Sequence, residues 1–206
     1  MAQISEKTLV IFDFDGTVYN GDSFFDFSIA ACGKWKVFIA LIMTVPAIIA
    51  YKTGFITNGE AKQSLFRRLY KGMTYEQFKQ SCEAFAIHID RKLNIDVAGK
   101  LYAAGGNAVI ASASIGDWIR PWAMRHGVRE VIATEIEICE DRLTGKFRTP
   151  NCFGKEKVRR IGEKIQDLTN YHKIVYTDSI SADAPMIAMA DEYVIVNNLN
   201  KRVNDR

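Results

Sequence analysis

This chain has few of the residues that staple or metallate a small protein. Cys32, Cys82, Cys139 and Cys152 are scattered with no C-x-x-C pair, which excludes a zinc knuckle or disulfide framework and suits reduced intracellular thiols. His88, His126 and His172 are equally without ligand spacing. Charge of one sign is missing too. A formal net charge of +3, with no cluster of Lys or Arg interleaved with aromatics, leaves no nucleic-acid footprint. The first residues, Met1 to Lys7, hold no basic segment followed by an apolar run, so no signal peptide is expected. No internal repeat or low-complexity tract interrupts the 206 residues, a length that can bury one α/β core plus an inserted subdomain.

What is present starts at Val10-Ile11-Phe12-Asp13-Phe14-Asp15-Gly16-Thr17. The apolar, β-branched run reads as a buried strand. Two carboxylates at its carboxyl end cost desolvation, and that end is where open α/β sheets bind ligands. Asp13 can attack phosphorus as a carboxylate nucleophile; Asp15, expected to face the same side, can carry the leaving-group proton. The plain alternative is an acidic exit from strand to turn.

Three later segments add to the pair. The strand-like 107–111 ends in Ser112-Ala113-Ser114; Gly154-Lys155-Glu156-Lys157 opens a helical pattern with Val158, Ile161 and Ile165; the strand-like 173–177 ends in Asp178-Ser179, with Asp183 five residues after Asp178. A nucleophilic acid, a hydroxyl, a cation and a distal acid pair that helps to bind a hard metal ion form the inventory of phosphoryl transfer.

These motifs, in this order, resemble the haloacid dehalogenase-like hydrolase superfamily, subfamily IB, with its phosphoserine phosphatases and C-type phosphatidylglycerophosphatases. The resemblance spans the chain. It implies Mg²⁺ at Asp13, the Asp15 carbonyl and Asp178, with Asp183 in or just outside that shell, and a phosphate-binding Ser112. Lys157 matches the lipid-phosphatase-like members and Lys155 some phosphoserine phosphatases; Lys157 is favoured. Asp22 lies where phosphoserine phosphatases carry a glutamate for the substrate amine, and Arg68 aligns loosely with their carboxylate-binding arginine, the alternative being an arginine on the cap surface. One departure is the Asp178–Asp183 spacing, five residues where close relatives use four. Ser114, opening Ser114-Ile115-Gly116-Asp117, reads as a helix cap.

The expected organisation is a doubly wound parallel α/β sheet built from 1–19 and 105–206, with 20–104 inserted as an all-α cap that shuts out water and selects the substrate. Core strands are expected at 8–13, 107–111, 130–134, 173–177 and 192–196, a small β excursion between 135 and 149, and a frayed polar tail over 198–206. Cap helices are expected near 23–31, 35–51, 58–70 and 74–103, broken at Gly33, Pro46, Gly54 and Gly72, with N-caps at Asn58 and Thr74. The stretch 37–51 is apolar nearly all round and flanked by Lys34, Lys36 and Lys52. It is shorter than the roughly 20 residues that cross a bilayer. It reads either as a buried cap helix or as a peripheral contact with a membrane interface.

The chain is therefore expected to be a Mg²⁺-dependent phosphomonoester hydrolase of the cytoplasm, with a small phosphorylated metabolite or a lipid phosphate as substrate and a possible site of action at the inner membrane face. The competing readings are a phosphorylated receiver-like switch and a non-catalytic membrane-associated protein. The intact Asp13/Asp15 pair speaks against the second, and about 100 residues between the first acids and Ser112 speak against the first.

Overall fold

Alternation along the first strand decides how the sheet is covered. In this computed structural model, which describes residues 7–196, β1 (Lys7–Phe12) sends Leu9 and Ile11 to one face and Val10 and Phe12 to the other. Residues 1–6 and the tail over 198–206 lie outside the described residues. Beside β1 runs β2 (Ala108–Ile115), then β3 (Glu130–Thr134); on its other side run β6 (Tyr171–Thr177) and β7 (Glu192–Ile195). The order β3-β2-β1-β6-β7 is parallel throughout, with helices on both faces. This is the doubly wound α/β architecture with β1 at its centre. A hairpin of β4 (Ile136–Cys139) and β5 (Arg142–Phe147), within the span of the expected β excursion, stands apart and turns through positive φ at Glu140 and Asp141.

One face carries α7 (Lys155–Lys164) and α8 (Ala184–Ala188), packed around Ile11, Val109, Ile161 and Met186. The other takes α6 (Gly116–Arg125) and the inserted helices α1 (Ser23–Cys32), α2 (Lys34–Lys52), α3 (Asn58–Tyr70) and α4 (Tyr75–Asp90). The expected 74–103 helix is two: Leu93 and Asn94 break it, and α5 (Ile95–Ala104) packs on β1 and β2. The N-cap of α3 is Thr57, which forms a capping box with Glu60; Asn58 is the first helical residue, whereas Thr74 caps α4 as expected. Pro46 lies inside α2 and does not end it. Only one intrahelical bond is lost there, on a side facing solvent.

The inserted helices share one continuous core with the sheet. Phe27 of α1 stacks on Trp118 of α6 at 4.5 Å and meets Phe78 and Phe85 of α4 edge-on at 5.4 Å. Such packing ties insertion and sheet into one cooperative unit. Phe27→Ala should cost about 3–5 kcal/mol. Urea unfolding followed by tryptophan emission and by far-ultraviolet circular dichroism should give coincident transitions, both shifted.

Candidate active site

Asp13 continues the parity of Leu9 and Ile11, and so emerges on the side covered by α7. From the first turn of that helix Lys157 donates to Asp13 Oδ1 at 2.6 Å and to Asp183 Oδ1 at 2.8 Å. All three side chains are buried, Lys157 to 3% exposure. Thr177, the last residue of β6, donates to the other Asp183 oxygen at 2.6 Å. Both oxygens of Asp183 are thus taken, which suits a residue that anchors the lysine. Lys155 is exposed on the same helix. Two residues along a helix turn the side chain by about 200°, so only one of the pair can face the sheet.

The strand ends at Phe12, and beyond it the two-residue alternation no longer applies. Asp15 therefore finds partners other than those of Asp13: it accepts from Ser23 N at the start of α1, at 2.7 Å, and from the Ser114 hydroxyl. Ser114 in turn accepts from the Ser23 hydroxyl at 3.0 Å. The expectation that Ser114 caps a helix is overturned. α6 begins after Ile115 without a side-chain cap, because β2 bulges between Ser112 and Ile115 and turns Ser114 toward Asp15. Ser112 is buried at the same sheet end, two residues past Ile110, the partner of Phe12, and accepts from Ser114 N at 3.0 Å. Asp178 opens to solvent against Gly16. Gly16 has φ +78°, and a Cβ there would collide with the Asp178 carboxylate.

Burial works against the charge of Lys157, yet Asp13 and Asp183 hold its pKa well above the ordinary lysine value. Asp13 is pushed upward by burial, against the pull of Lys157 and with Asp183 and Asp15 adding to the rise. Asp178 is raised by partial burial and then by Asp183 and Asp15. One ammonium is shared among more carboxylates than it balances, and every free donor is an oxygen, a set that fits a hard divalent cation. Among the described residues no three acidic, histidine or cysteine side chains stand close enough to clasp an ion unaided. Mg²⁺ needs no such clasp, since it keeps several waters and uses one or two carboxylates with substrate oxygens.

The two residues expected to select substrate fare differently from the acids. Asp22 is the N-cap of α1, accepting from Phe25 N at 3.1 Å, and burial followed by Asp15 raises its pKa. Arg68 is exposed on α3, because the inward face of that helix is set by Ala61, Leu65 and Leu69. The cation that α3 does bring inward is Lys62. Its ammonium donates to Ala113 O at 2.9 Å and lies 5.1 Å from the Phe24 ring centre. Burial lowers its pKa, opposed by Asp15 and Asp22. Three residues before Leu65 and seven before Leu69, it shares their helix face, and how α3 packs decides what that face meets. A groove of about 270 Å³ between α1, α2 and α3 begins at Asp22 and Lys62 and continues along Phe25, Leu41, Ile48 and Leu65. A larger hollow of about 400 Å³, between Gln63, Phe147, Asn151 and Phe153, is lined by none of the aspartates described above.

This constellation has relatives. Protein CicA of Caulobacter vibrioides is 35% identical over 194 residues, covering 91% of this chain and 85% of that protein. A protein of unknown function from Bordetella pertussis Tohama I has the same fold, with TM-score 0.72 at 21% identity over 93% of this chain and 90% of its own. A phosphoserine phosphohydrolase-like protein of Francisella tularensis gives TM-score 0.61 at 16% identity over 91% and 86%. The family of haloacid dehalogenase-like hydrolases matches residues 10–188, a span that runs from before Asp13 to beyond Asp183. It includes all the acids and the three lysines just described, and by that match the chain belongs to the haloacid dehalogenase-like hydrolase family.

Proposed function

We propose that the chain is a Mg²⁺-dependent phosphomonoester hydrolase that works through an aspartyl-phosphate on Asp13. The observation that carries this reading is the buried Asp13–Lys157–Asp183 triad at the carboxyl end of the central parallel strand. Lys157 occupies Asp13 Oδ1, which leaves Oδ2 for attack on phosphorus. As the bond from phosphorus to the leaving oxygen breaks, Asp15 gives that oxygen a proton. It then takes one from the water that cleaves the acyl phosphate, so Asp13 returns as a carboxylate. Ser112 and neighbouring backbone N–H groups hold phosphoryl oxygens, and Lys157 offsets their charge. Mg²⁺, held by Asp13, the Asp15 carbonyl and Asp178, supplies further charge neutralisation when bound. Asp183 keeps Lys157 aimed at the phosphoryl group.

In this reading 1–19 and 105–206 act as the catalytic core and 20–104 as the cap over it, in the cytoplasm. A membrane contact through 37–51 is compatible with this reading and independent of it. Substrates of phosphoserine type and lipid phosphates such as phosphatidylglycerophosphate both present a phosphomonoester. The groove from Lys62 and Asp22 into apolar side chains supports the lipid phosphate, because a polar head and an apolar tail match its two ends.

Asp13→Asn should lower kcat about a thousandfold or more toward a chromogenic phosphate ester. Asp15→Asn should slow both formation and breakdown of an acid-stable phosphoenzyme, and undiminished turnover by purified Asp13→Asn would overturn the mechanism. EDTA should silence the wild type, and excess Mg²⁺ should restore it. In a screen of phosphorylated metabolites beside detergent-dispersed lipid phosphate, kcat/KM should favour the lipid. Turnover confined to phosphoserine would rule out the lipid assignment.

A further inference from the structure

The helix α2 is long and apolar enough to cross a membrane, by length and composition, yet most of it is exposed. Val37, Ala40 and Thr44 alone are buried, on the side turned toward α3, and the Thr44 hydroxyl is satisfied by Ala40 O at 2.6 Å. Trp35, Phe38, Ile39, Ile42, Met43 and Ile49 are each more than half exposed, Trp35 to 79%. They repeat at helical spacing along the outer face. A run of apolar side chains this size on a water-facing helix marks a contact surface.

Charge decides among its occupants. Between Asp26 and Glu60 there is no acidic residue, and the charges are Lys34, Lys36 and Lys52, at the two ends of α2. A second copy of this chain would bring these lysines toward one another, whichever way the helices ran. An anionic lipid surface attracts all three. Trp35 and Tyr51 stand near the helix ends and Phe55, 84% exposed, just past it, the aromatic placement that suits the headgroup level.

A crossing orientation is excluded by what lies on either side. α1 and α3 both contribute to the one core shared with the sheet, so the two ends of α2 must stay on the same side of a bilayer. The helix therefore lies in the plane of the interface, outer face down. The groove lined by Leu41, Thr44 and Ile48 runs from beside this face toward Lys62 and Asp22.

We propose that the outer face of α2 docks this protein onto an anionic lipid bilayer, with the α1/α2/α3 groove giving an apolar route from the bilayer toward Lys62 and Asp22. The docking itself needs no part of the catalytic reading. Its test is favoured by the tryptophans: Trp118 and Trp122 are fully buried, so an emission change on adding vesicles reports Trp35. Phosphatidylcholine vesicles containing phosphatidylglycerol should shift that emission to the blue and retain the protein on sedimentation, less so as salt rises. Ile42→Glu with Ile49→Glu, both on the exposed face, should lower partitioning at least tenfold with an unchanged melting temperature. Asp13→Asn should bind vesicles as the wild type does, which separates failure of docking from failure of the catalytic mechanism. No blue shift and no retention of the wild type would overturn the proposal, as would equal retention of the double variant. A wild-type dimer that the double variant dissociates, without vesicle binding, would assign the face to copies of the chain instead.

Discussion

A single buried ammonium organises this molecule. Lys157 sits between Asp13 and Asp183 with almost no solvent contact, and removing its ammonium would leave two buried carboxylates uncompensated, at a cost of about 3–5 kcal/mol. The pair requires α7 to begin where it does, after the positive-φ Gly154, so that its first turn faces the end of β1. It also requires Thr177 to finish β6 pointing at Asp183. Strand order, helix start and strand end are thus all constrained by the position of one nitrogen. That constraint is costly in folding terms; in the proposed reaction it is useful, since a cation fixed before substrate arrives needs no reorganisation when charge develops.

The second acid is held by a different part of the chain. Asp15 is bound by the first backbone N–H of α1 and by Ser114, while Ser23 and Trp118 complete a small hydrogen-bonded cluster behind it. The inserted helices therefore touch Asp15, the proposed general acid, directly through their first residue. Because they also share the aromatic core around Phe27 and Trp118, the position of Asp15 depends on packing well away from the acids. Lys62 adds a second tie, from α3 to the carbonyl of Ala113. Insertion and sheet meet at polar contacts around the acids and at apolar contacts behind them.

Much of this was legible in the sequence. β1 is an apolar β-branched run ending in carboxylates, and the short β-branched runs at 130–134 and 173–177 are strands to within two residues of those bounds. Thr74 was legible as a cap because Gln77 follows at the right distance. Other local signals misled. Ser114 carries a capping pattern, but the bulge in β2 uses it elsewhere; Thr57 outcompeted Asn58 because Glu60 reciprocates its bond. Pro46 looked like a break, and is tolerated in a helix whose exposed side loses one bond to solvent.

By itself the sequence determined the residue types that can attack, protonate and neutralise a phosphoryl group, their order, and the parallel α/β framework, because each is encoded within a few residues by period, turn chemistry or motif. It also determined that an apolar, acid-free segment flanked by lysines lies early in the insertion. Which lysine meets Asp13, what Asp22 does, and that Lys62 rather than Arg68 faces inward were decided only by tertiary structure. So was the exposure of the outer face of α2. The reason is common to all four: each depends on which helix face meets another element across a long stretch of chain, 144 residues in the case of Lys157 and Asp13, and no local pattern specifies that meeting.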